Sequence, residues 1–174
     1  MDNHSSHSLV SSKSNPCTDK LSDLEYFNKA IQLSQQALDS GNEPFGALLV
    51  GPDGKILLEQ QNQVGKLKDH TAHDVFLVAS RASKEFDQAF LWECTVYSTV
   101  EPCLMCLGGV FWANIGNIKY IIKENDLNKM FGGDPLITIH SDHIMPKLAK
   151  NIKITGPFLE VESKAKAVVS AWLS

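Results

Sequence analysis

No stretch of this 174-residue chain approaches the run of about 18 apolar residues that a membrane-spanning helix needs, so a transmembrane span is excluded. The segment from Met1 to Pro16 is polar and lacks the apolar core of a secretion signal, which points to a cytoplasmic, reducing setting. Positive charge is scarce: 16 Lys and Arg face 20 Asp and Glu for a net charge of −4, and Arg81 is the one arginine. Surfaces that hold long nucleic-acid tracts are basic, and bidentate phosphate contacts favour arginine. Nucleic acid is therefore not the expected partner, whereas a small nucleobase or nucleoside remains open. Cysteine is sparse, with Cys17, Cys94, Cys103 and Cys106 only, and in a reducing setting these do not read as a disulfide framework. No internal repeat or compositional break marks a second domain. With 43% hydrophobic residues the chain is not disordered throughout, and its length suits one domain with its own core.

Residues 1–22 read as a disordered Ser-rich tail, with His4, His7 and Cys17 given no role, and residues 23–174 as the domain. Asp23 is expected to cap a helix reaching Ser40, with Gly41 as its stop. Residues 44–51 and Lys55 to Val64 flank the turn Pro52-Asp53-Gly54 and read as a β-hairpin. A helix is expected over Thr71 to Phe86 and a strand over Glu93 to Val100. Pro102 opens a further helix to Ala113, and a strand follows at Ile118 to Ile122. Residues 124–150 are irregular in pattern. There Phe131 to Pro135 reads as a loop, either functional or a plain connection, Leu136 to Ile139 as a strand-like lid or nothing, and His143 to Lys150 as a short helix. A strand at Ile152 to Thr155 and a packed helix from Leu159 to Trp172 close the chain. Strands alternating with helices predict a layered α/β sandwich around one mostly buried sheet.

The chemistry concentrates in Glu101-Pro102-Cys103-Leu104-Met105-Cys106. A strand ends there and a helix begins, and a helix N-terminus favours thiolate over thiol. Two thiolates on one helical turn can share a metal ion, but the same junction also describes a thiol–disulfide redox site. Thr71-Ala72-His73, thirty residues upstream, favours the metal. His73, Cys103 and Cys106 would hold Zn²⁺ with the fourth position open, the pattern of a catalytic zinc. The pairs His70/His73 and His140/His143 have metal-compatible spacing but no companions, so they are weak signals.

Together P-F-G-A (44–47), Asn62, T-A-H (71–73), E-P-C-x-x-C (101–106) and W-A-N-I-G (112–116) resemble the zinc-dependent cytidine deaminase-like superfamily. Within it the sequence looks most like the bacterial nucleoside and nucleobase deaminases, which include guanine deaminases and tRNA adenosine deaminases. The resemblance spans roughly residues 24–174. It implies a three-layer α/β/α sandwich with a mixed five-stranded sheet, a zinc ion on His73, Cys103 and Cys106, and hydrolytic deamination of a purine or pyrimidine base. It further implies that Asn62 and the Ala72 backbone contact the base or sugar and that Asn42, Phe45 and Trp112 shape the pocket. A homodimer is implied as well.

One position departs from the pattern. In this superfamily a glutamate two residues after the zinc histidine shuttles protons, in the signature H-x-E…P-C-x-x-C, whereas this chain reads His73-Asp74-Val75. Valine moves no proton, and loss of general acid–base catalysis costs about 10²–10⁴-fold in rate. Three readings follow: an impaired deaminase, a catalytically silent zinc protein serving as ligand-binding or partner subunit, and a thiol redox protein using Cys103 and Cys106. Some eukaryotic tRNA deaminase subunits resemble the second, with valine at this place in the silent half of a heterodimer. Asp74 is a weak substitute base, because adjacent helix residues diverge by about 100°. Its simpler reading is an acid favoured in a helix's first turn.

Overall fold

The computed structural model describes residues 20–133 and 140–174. Five strands form one mixed sheet in the order β2-β1-β3-β4-β5. They are β1 (Gly46–Val50), β2 (Ile56–Gln61), β3 (Thr95–Val100), β4 (Asn117–Ile122) and β5 (Lys153–Thr155). β1 pairs antiparallel with both β2 and β3, while β3, β4 and β5 run parallel. Parallel neighbours need crossover connections, and α5 (Leu104–Ala113) makes the one between β3 and β4.

Strand side chains alternate between two cores, as a two-residue period dictates. On β1, Ala47 and Leu49 join Val96, Ile118, Val78 and Val110 beneath α3 (Asp74–Glu85) and α5. Leu48 and Val50 join Tyr97, Ile121, Phe27 and Val161 beneath α1 (Asp23–Asp39) and α8 (Leu159–Leu173). The three-layer α/β/α architecture with a mixed five-stranded sheet is thus the observed fold. The closeness of the layers shows at Gly46, where a Cβ would lie 2.6 Å from Ala30 O and 2.7 Å from Leu33 Cβ.

Several boundaries differ from the sequence expectation. Ser22, not Asp23, caps α1, in a reciprocal capping box with Glu25. Asp23 instead accepts hydrogen bonds from Lys119 Nζ and the Tyr97 hydroxyl. The helix expected over 71–86 starts only at Asp74, with His73 as its N-cap, because Asp69 holds Thr71 in a tight turn. Pro102 lies outside the helix it was expected to open, and Cys103 is the N-cap.

The irregular 124–150 region contains α6 (Glu124–Met130) and α7 (Ser141–Ile144), and a 3₁₀ turn spans Met145–Lys147. Two short helices, α2 (Val64–Leu67) and α4 (Gln88–Trp92), were not foreseen either. At the amino end, residues 1–19 of the expected tail fall outside the described residues, as do Leu136 to Ile139.

Candidate metal centre and cavity

Two helix N-termini meet at the site. His73 caps α3 and Cys103 caps α5, and neither side chain makes a capping hydrogen bond. An N-cap side chain normally satisfies one of the free N–H groups of the first turn. Here the side chains turn to each other instead, leaving the positive ends of both helices toward the thiols, which favours thiolate. Cys106 sits one turn into α5 and is buried.

His73 Nδ1 lies 3.6 Å from Cys103 Sγ and 3.7 Å from Cys106 Sγ. Around a tetrahedral zinc, with Zn–S about 2.3 Å and Zn–N about 2.0–2.1 Å, ligand atoms stand about 3.5–3.8 Å apart. The donor set therefore fits a zinc ion in spacing and chemistry. It is also the one His/Cys/Asp/Glu group with metal-compatible geometry among the described residues. His140 and His143 are not in it: His140 faces Glu124 at 3.1 Å and His143 is exposed.

Charge at the triad is shared. The hydrogen bond from Cys106 pulls the Cys103 thiol down to about 4, with His73 helping. Cys106 moves upward, because its thiol donates to the Cys103 sulfur and is buried. The bond with Cys103 raises His73 against the opposing effect of burial. This is a site poised to exchange protons for a cation.

A cavity of about 310 Å³ opens beside the triad, at the small end of ligand-pocket sizes. It lies beyond the carboxyl ends of β3 and β4, the usual place for ligands in open α/β sheets. Both Asp74 and Val75 line it. The 100° divergence does not separate them, because the end of α3 rather than its flank faces the cavity. Asp74 is not a solvated first-turn acid: it is 6% exposed, its Oδ2 has no hydrogen-bond partner, and burial pushes its carboxyl up to about 7.

The other site residues divide. Phe45 lines the cavity. Asn62 is fully buried but does not line it, since its Oδ1 accepts from Val64 N at 2.9 Å and its Nδ2 donates to Glu43 at 3.1 Å. It acts on the cavity through Glu43, which is a wall residue. Asn42 is likewise outside, with Oδ1 accepting from Lys66 N. The Ala72 backbone is taken up in turns, with its N–H on Asp69 O and its carbonyl on Gln63 N. Trp112 does not shape this cavity. It is 78% exposed and borders a separate apolar groove with Phe76, Met105 and Gly109, because six residues along α5 turn it about 240° from Cys106.

Sequence reasoning missed Glu43, Glu101, Glu124 and Asn128 on the walls and gave Trp172 no site role. Trp172 meets Phe131 edge to face, with centroids 5.7 Å apart. Glu101 follows β3 directly. Its carboxylate accepts from Glu124 N and from the Ser141 hydroxyl. Only Glu101 carried a signal, as the first letter of E-P-C.

Residues 21–122 match the family described as the cytidine and deoxycytidylate deaminase zinc-binding region. A probable cytosine deaminase of Schizosaccharomyces pombe is 30% identical over 81% of this chain and 87% of its own length. The guanine deaminase of Bacillus subtilis is 34% identical over 58% of this chain and 65% of its own length. The solved guanine deaminase of Nitrosomonas europaea shares the fold, with a TM-score of 0.71 at 21% identity, covering 84% of this chain and 82% of that one. With a match across more than half its length and a relative aligned along most of both sequences, the chain belongs to the cytidine and deoxycytidylate deaminase zinc-binding family.

Proposed function

We propose that this chain binds a nucleobase or nucleoside in the cavity beside a zinc ion, and that it is impaired in hydrolytic deamination because Val75 stands in place of the proton-shuttling glutamate. The observation that carries this reading is Val75 itself. It is buried, lines the cavity two residues beyond His73, and offers only an isopropyl group there. His73, Cys103 and Cys106 would hold the metal, which when bound supplies Lewis acidity that activates water near neutral pH. Phe45, Phe131 and Trp172 give aromatic walls suited to a planar ring. The third donor, His73 Nδ1, supports zinc over dithiol redox chemistry as the use of Cys103 and Cys106.

A second reading has its own support. Asp74 is a buried, unpartnered carboxylate in the same cavity and could carry the proton instead. A silent subunit paired with an active paralogue is the remaining form of the first reading. For the free chain the reading extends to a homodimer, with a second copy covering the Trp112 groove.

Ammonia release separates the readings. Zinc-loaded wild type, Val75→Glu and Asp74→Asn are compared on guanine, adenine, cytosine and their nucleosides. We expect little release by wild type and a gain of about 10²-fold or more in Val75→Glu. Ordinary turnover by wild type that Asp74→Asn abolishes would install Asp74 as the base and end the impaired reading.

A further inference from the structure

Resting on His73, Cys103 and Cys106 as the metal ligands, and on no bound base, we propose that Glu101 and Ser141 are positioning residues of the metal centre, which fix the turn that delivers the Cys103 thiolate.

Glu101 is 3% exposed and Ser141 is 4% exposed. A carboxylate taken out of water is costly unless its oxygens find donors. Both donors here are neutral: Oε1 accepts from the Ser141 hydroxyl, and Oε2 accepts from Glu124 N at 3.1 Å. They lie 40 and 23 residues further along the chain. One side chain at the end of β3 is thus tied to the first residues of both α7 and α6. Lys123, the N-cap of α6, makes no side-chain cap bond, so Glu101 satisfies the first amide of that helix from the neighbouring strand. The Glu101 backbone is held as well, with its N–H on Ile122 O at 2.8 Å.

The residue before Ser141 closes a ring. His140 Nδ1 stands 3.1 Å from Glu124 Oε2, so the path from Glu101 through Ser141, His140 and Glu124 returns to Glu101 by way of Glu124 N. Each bond in such a ring restrains the next, which leaves the Glu101 carboxylate little freedom. Holding α7 in place does not require this ring, since Ile144, Met145 and Leu148 already pack against the core.

What the ring does fix is the approach to the metal. Only Pro102, which is buried, separates Glu101 from Cys103. The proline ring sets its own φ, and the residue before a proline is confined to extended backbone. The arm from Glu101 to Cys103 is therefore stiff, and it ends where Cys103, at φ −63° and ψ 169°, starts α5. A shift of that arm moves Cys103 Sγ against His73 Nδ1, now 3.6 Å away. Partners that orient metal ligands from outside are worth about 10–100-fold in metal affinity. Glu101 and Ser141 act in this way through the Cys103 backbone, without touching the metal.

The full chain loaded with Co²⁺ in place of zinc tests this, because the absorption bands of tetrahedral thiolate-bound cobalt report ligand geometry. Ser141→Ala should alter those bands and release Co²⁺ to excess chelator about tenfold faster than wild type. Ser141→Thr keeps the hydroxyl and should restore both. If Ser141→Ala does not fold, Glu101→Asp, one methylene too short to reach both donors, should show the same two changes. A merely structural role would lower the melting temperature of Ser141→Ala and leave its bands and release rate at the wild-type values. That result, or a Ser141→Thr no better than Ser141→Ala, would overturn the positioning role and leave the ligand set standing. A wild type that takes up no Co²⁺ would end both.

Discussion

At the scale of single residues, the metal centre rests on three donors with no fourth protein ligand among the described residues. His73→Ala or Cys103→Ala should therefore lose zinc when measured by metal content after dialysis, and full occupancy in either variant would refute the ligand set. The Asp23 carboxylate lends itself to a pH measurement. Burial works against its charge, yet hydrogen bonds from Lys119 and Tyr97 outweigh burial and hold its pKa below the usual 3.8. A depressed carboxylate stabilises the fold above its unfolded value, and that contribution vanishes as pH falls through the folded value. Asp23→Asn should thus cost about 1 kcal/mol near neutrality. The gap from wild type should close below pH 3.8, as read from urea unfolding at several pH values. A gap that stays constant into acid would exclude the ionic contribution.

Elements differ in how their ends are finished. α1 is closed by Ser22, and losing such a cap costs about 1 kcal/mol. We expect Ser22→Ala to lower the unfolding free energy from urea titration by that much and Ser22→Asp to retain most of it; equal midpoints for wild type and Ser22→Ala would mean the cap contributes nothing. α3 and α5 are finished differently, with their N-cap side chains given to the metal site. Motif and element boundary coincide there, which is why the three donors were legible: each lies in a short segment whose chemistry and secondary structure agree. α6 was not legible. Its seven residues bury only Leu127, too short a span for a helical period to show, so the helix carrying Glu124 and Asn128 into the cavity read as irregular chain. Trp172 was legible as part of a helix but not as a wall, because nothing local records which side of α8 meets α6.

For the whole molecule, the exposed Trp112 beside an apolar groove leads to an expectation about assembly. Sedimentation of the wild type should give a dimer that Trp112→Arg dissociates, and a wild type monomeric at micromolar concentration would remove the proposed second copy. The family, the layered fold and the His73-Cys103-Cys106 donor set were determined by the sequence itself, since they depend on short contiguous motifs and on strand and helix periods. Tertiary structure alone decided the rest. It turned Asn62 onto Val64 N and Glu43 rather than the cavity, and Trp112 outward. It buried Asp74 beside Val75, and it brought Glu124, Phe131 and Trp172 to one cavity. Those outcomes depend on which face of one element packs on another, and packing between distant segments leaves no mark in local spacing.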